Sequence, residues 1–64
     1  MTEYYFVKSV KEAFSEINSG KIGFYYIRDQ SSWFFVGHGG FSLHKIDPLM
    51  LKNYPELNEI EIDL

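Results

Sequence analysis

The sequence predicts a small α+β domain: a three-stranded antiparallel sheet with an N-terminal helix, a short second helix and a tendency to dimerise. Three observations predict it. One amphipathic stretch carries helix signals at both ends. Two aromatic, β-branched runs flank a polar turn. The last six residues alternate acid and aliphatic without a break. At 64 residues there is room for one domain spanning 1–64.

The first element is a helix. Ser9 and Glu12 have the spacing of a capping box, and Val10, Ala13, Phe14 and Ile17 follow as one apolar stripe. Ser19-Gly20 ends it, with Gly20 free to turn left-handed. Tyr4 to Val7 extend this helix backwards, because Phe6 lies four residues before Val10; a short strand is the alternative reading.

Ile22 to Arg28 and Trp33 to His38 read as the two strands of a hairpin closed by Asp29-Gln30-Ser31-Ser32. Gly37, Gly39 and Gly40 mark a bend, after which Phe41-Ser42-Leu43 continues the strand. Asp47-Pro48 is an N-cap followed by proline at the first helical position, opening a helix to about Asn53 that Pro55 stops. Glu59 to Leu64 has the period of a half-buried strand, with Ile60, Ile62 and Leu64 inward.

Alternation within the hairpin puts Phe24, Tyr26, Trp33 and Phe35 apart from Tyr25, Ile27, Phe34 and Val36, so both sheet faces are apolar. Either the two helices cover both faces or a second copy covers one. An uncovered aromatic face is a patch that soluble monomers avoid, which favours a homodimer. A domain this small buries only roughly 60% of the surface its unfolded chain exposes, and self-association is a common remedy.

Composition narrows the function. Twelve aromatics among 64 residues are unlike a disordered tail, and the absence of Cys excludes disulfides and thiolate metal sites. No apolar run reaches membrane-helix length and the N-terminus lacks a secretory pattern, so a cytoplasmic protein without a membrane partner is expected. A net charge of −3 disfavours nucleic-acid binding, including a stacking platform built on the aromatic strands with Lys21 and Arg28. It suits an acidic surface that meets a basic partner.

Catalytic and metal patterns are weak. His38 and His44 alone are too few ligands for zinc, and Ser42 near His44 lacks an orienting acid and a pocket. Gly37-His38-Gly39-Gly40 lacks the Lys-Ser/Thr ending of a phosphate loop. No enzyme, cofactor or metal is expected. The tail is more informative. Glu56, Glu59, Glu61 and Asp63 lie within eight positions with no basic residue after Lys52. In a strand, alternate carboxylates stand about 7 Å apart on one face, close to the phosphate repeat of a nucleic-acid strand. The plainer reading is a solvated edge that discourages aggregation.

From Ile22 to Leu64 the chain resembles the very small dimeric uracil-DNA glycosylase inhibitors encoded by Bacillus phages with protein-primed replication. The resemblance rests on the hairpin from Ile22 to Gly40 and the pattern His38-x-Gly40-x-Ser42-Leu43. Ile46-Asp47-Pro48-Leu49-Met50 and Ile60-Glu61-Ile62-Asp63-Leu64 then follow in order, and Phe6-Val7 and Ser9 fit at the N-terminus. The resemblance implies a homodimer whose short helices form a groove around the leucine that the host glycosylase inserts into DNA, ringed by acids at phosphate positions. Carried over, Ile46 and Met50 are groove walls and Asp47 imitates a phosphate, with Glu56, Glu59 and Glu61 as further acids toward the partner. The sequence departs from the family in having aliphatic residues at 46 and 50 and a shorter acid at 47. The rival expectations are a phage counter-defence protein that binds another host nucleic-acid enzyme, and a structural assembly module.

Overall fold

A computed structural model describes residues 3–37 and 42–62. It is an α+β unit in which four strands form one mixed sheet: β1 (Tyr4–Val7), β2 (Phe24–Ile27), β3 (Ser32–Val36) and β4 (Leu43–Lys45), adjacent in that order. Helix α1 (Val10–Asn18) links β1 to β2, and helix α2 (Pro48–Leu51) follows β4. β1 runs parallel to β2, and the other pairs are antiparallel.

Strand β1 corrects both the helical reading of Tyr4–Val7 and the expected three-stranded antiparallel sheet. As helix, these residues would add one turn to α1. As strand, Tyr4 stacks on Phe24 at 5.7 Å and Tyr5 on Tyr25 at 4.9 Å, while Val7 sinks into the core. Cross-strand aromatic pairing is the larger gain, and it is invisible to local propensity. The stretch between Val7 and Phe24, built around α1, is long enough for a parallel return.

Helix α1 begins as expected, with one displacement. The Glu12 N–H donates to Ser9 Oγ at 3.2 Å, but the Glu12 carboxylate accepts from the Lys8 N–H at 3.0 Å rather than from that of Ser9. At the other end Gly20 adopts φ 88°; its N–H donates to the Ile17 carbonyl and that of Lys21 to the Glu16 carbonyl, a Schellman closure. Lys21 Nζ returns to Glu16 Oε2 at 2.6 Å, which raises the Lys21 pKa.

The hairpin is shorter than expected. Its turn is a single 3-10 turn over Arg28–Gln30, closed by Ser31 in the left-handed region. The expected C-terminal strand over 59–64 does not form within the described residues, and Asp63 and Leu64 lie outside them. A 3-10 turn spans Pro55–Glu59 instead, with Pro55 at its start. Leu57, 2% exposed, is driven into the sheet face beside Trp33 and Ile46, and Ile60 follows one turn later. Pinning the segment across the face removes it from the edge, where a strand would have to add.

The two sheet faces are covered by one chain. On the first, α1 seals Tyr25, Ile27, Phe34 and Val36 under Ala13 and Ile17. On the second, the segment from α2 to Ile60 packs over Trp33 and Ile46, with its own Leu57 buried between them. This is the arrangement in which both helices cover the sheet, with a difference in completeness that matters below.

Tyr25 anchors the first face. Its side chain is fully buried and its hydroxyl donates to the Lys21 carbonyl. Burial, with smaller contributions from Tyr5 and Glu16, pushes its pKa up to about 12. Because the folded state holds this proton above the ordinary value near 10, its stabilisation is complete below pH 10 and is lost as pH rises towards 12. A loss on the order of 2–3 kcal/mol is expected over that interval. Urea midpoints at pH 8 and at pH 12 measure it; equal midpoints contradict the assignment.

Candidate partner-binding face

The second face is assembled by register. Strand pairing lines up Tyr4, Phe24, Phe35 and His44 in one row and Phe6, Tyr26, Trp33 and Ile46 in the next. Trp33 is the hub: its ring meets Tyr26 at 5.5 Å, Phe6 at 5.8 Å and Tyr4 at 6.3 Å, all edge-on or steeply inclined. Tyr54 stands edge-on to Phe24 at 5.2 Å, and His44 stacks on Phe35 at 5.1 Å.

Coverage of this face is partial. Trp33, Ile46 and Leu57 are buried, but Tyr4, Phe24, Tyr26 and Phe35 are half-buried and Phe6 is 45% exposed. The segment that crosses it is short and mostly irregular, whereas the first face has a full helix.

Asp47 sets the geometry of α2. Its Oδ1 accepts from the Met50 N–H at 2.8 Å, and Pro48 occupies the first turn, where its missing N–H costs nothing. The cap orients the four-residue helix so that Met50 and Leu51 lie half-buried on the sheet while Leu49 points outward, 75% exposed. At the foot of α2 lies a depression of about 270 Å³ lined by Ser31, Ser32, Trp33, Lys45, Ile46, Pro48 and Leu51.

Each residue singled out from the sequence now has a place. Ile46, expected as an open groove wall, is 5% exposed and belongs to the core, although it also lines the depression. Met50 is half-buried in the same cluster. Asp47 is exposed but its Oδ1 is engaged as the cap. Glu56, Glu59 and Glu61 are all exposed on the segment after α2. Leu49 is the residue that sequence reasoning passed over. In sequence it is one of three consecutive apolar residues with Met50 and Leu51, but a helix of one turn has room for only part of that set against the sheet.

His38, Gly39, Gly40 and Phe41 lie outside the described residues, and so does the histidine pair with His44. Among the described residues no group of three or more His, Asp or Glu is placed to hold a metal, and no helix is long and apolar enough to cross a membrane. Compared with known proteins, the chain matches no protein-family model, no curated protein and no solved structure.

Proposed function

We propose that this protein is a DNA-mimicking inhibitor of a host uracil-DNA glycosylase, acting as a homodimer in the bacterial cytoplasm with no cofactor and no chemistry of its own. The observation that carries the reading is the half-open second face with the depression lined by Ile46; the exposed Leu49 and the exposed acids Asp47, Glu56, Glu59 and Glu61 lie near it in the sequence. A depression with one apolar wall of Trp33, Ile46, Pro48 and Leu51, and with acids close by in sequence, suits a DNA-binding cleft, which is basic and carries one protruding leucine.

The division of labour is physical. The carboxylates attract the basic cleft from a distance and set the encounter rate. The apolar site supplies slow dissociation, since burying one leucine side chain contributes roughly 1.5–3 kcal/mol and water exclusion strengthens the ion pairs around it. Asp47 favours the contact less than the three glutamates, because one of its oxygens already holds the end of α2. The ordered resemblance from Ile22 to Leu64 points to the same partner.

The test is uracil excision by a purified glycosylase in the presence of stoichiometric protein. Inhibition at micromolar protein is expected, together with its loss in Leu49→Asp, whose exposed position leaves the fold intact. Full glycosylase activity in the presence of the wild-type chain contradicts the proposal.

A further inference from the structure

We infer that the free edge of β1 pairs antiparallel with the same edge of a second copy, joining two four-stranded sheets into one continuous sheet. The inference deepens the homodimer of the reading above and rests on that reading only for self-association; it needs no glycosylase. Among the described residues β1 lies at one end of the strand order and β4 at the other. β4 is three residues long and exposes His44 and Lys45. Natural sheets blunt their edges with lysine, proline, bulges or very short strands. Tyr4-Tyr5-Phe6-Val7 has no charge and no proline, and pairs with β2 in unbroken register.

One hydrogen bond settles which backbone groups face outward. The Glu3 carbonyl accepts from the Phe24 N–H at 2.9 Å, so Glu3, Tyr5 and Val7 turn their amide groups towards β2. By alternation, Tyr4 and Phe6 turn theirs away from the sheet. The run ends at Lys8, whose N–H is held by the Glu12 carboxylate.

Symmetry then fixes the register. A two-fold axis relating adjacent antiparallel strands stands perpendicular to the sheet, so facing residues come from the same face of each copy. The register that employs both outward residues sets Tyr4 against Phe6 of the second copy, twice, with Tyr5 against its own counterpart on the axis. On the open face this covers Phe6, the most exposed aromatic there, and carries the row Phe6, Tyr26, Trp33 into the row Tyr4, Phe24, Phe35 of the second copy. Charge agrees: Glu3 precedes the strand and Lys8 follows it, so antiparallel addition brings opposite signs near each other, whereas parallel addition would align like signs. The result is a pair of separate α2 sites, one per copy, rather than one groove shared between two helices.

The chain lacks cysteine and is short enough for chemical synthesis, which permits a direct test. The wild type is expected to sediment at twice the chain mass. A synthetic chain methylated at the Phe6 amide nitrogen, and the variant Phe6→Lys, are expected to sediment at half that value with unchanged far-ultraviolet circular dichroism. Tyr5→Cys should form a disulfide-linked dimer under mild oxidation faster than Phe6→Cys, because only the former places the two Cα atoms directly opposite each other, within disulfide reach. A monomeric wild type at high micromolar concentration overturns the inference, as does a dimer that survives Phe6 methylation or equal linking rates for the two cysteine variants. If these masses behave as expected while the glycosylase is unaffected, the inhibitor reading falls and the edge pairing stands. If inhibition holds while Phe6 methylation leaves the dimer whole, the reverse is true.

Discussion

Trp33→Ala is expected to remove much of the domain's stability. The indole is the common neighbour of Tyr4, Phe6 and Tyr26 on the sheet and lies in the cluster with Ile46 and Leu57. Truncating a buried tryptophan costs about 3–5 kcal/mol in lost transfer energy and cavity formation. A chain of this size has about 3–10 kcal/mol of total stability. The loss falls first on the segment from α2 to Ile60, which is held mainly by this cluster. Urea denaturation followed by circular dichroism measures it, with Trp33→Phe as a milder control. A loss below about 1 kcal/mol would mean that the second face contributes little to folding.

Gly23→Ala is the second large effect, and it acts through the backbone. A β-carbon at this position would collide with the Glu3 carbonyl, which is part of the main chain and cannot swing away. That same carbonyl accepts the Phe24 N–H, and the Gly23 carbonyl accepts the Val36 N–H at 3.1 Å. Gly23 thus sits where β1, β2 and β3 are tied together, and relief of the clash must break the first tie. A cost of about 2–4 kcal/mol is expected, combining overpacking with backbone strain. Loss of β1 from the sheet should accompany it, seen as fast amide exchange at Tyr5 and Val7. Gly20→Ala probes a different cost, since nothing lies near a β-carbon there and only the left-handed φ is penalised.

The readable parts of this fold are the local ones. Ser9, Glu12 and Gly20 fix the ends of α1, and Asp47-Pro48 opens α2, because caps act through hydrogen bonds within a few residues. The hairpin follows from two aromatic runs and one polar turn, but its register, Phe24 with Phe35 and Tyr26 with Trp33, is set by the 3-10 turn over Arg28–Gln30 rather than by the expected turn over 29–32. β1 was not readable, since its pairing with β2 spans the whole of α1 and its four residues also continue a helical stripe. The acid–aliphatic alternation of 59–62 misled for a related reason. Its period is that of a strand, but Leu57 finds a deeper site on the sheet face than any strand edge offers.

The candidate site was legible in chemistry and less so in position. Glu56, Glu59 and Glu61 are exposed, as charged residues on a covering segment must be. The family resemblance makes Ile46 the wall of an open groove, whereas the structure buries it. The bond from its N–H to the Trp33 carbonyl continues the β4 pairing by one residue and turns the side chain inward. Leu49 then becomes the outward apolar residue of α2, a consequence of where the Asp47 cap starts the turn.

Mimicry of DNA has a stricter consequence than inhibition alone: the protein and DNA must exclude each other. A glycosylase held on fluorescently labelled abasic DNA, titrated with the wild-type chain and followed by anisotropy, tests this directly. The account predicts that the label returns to the anisotropy of free DNA, with one enzyme molecule released for each binding site added. Persistence of a ternary complex, or no change in anisotropy at all, would contradict it.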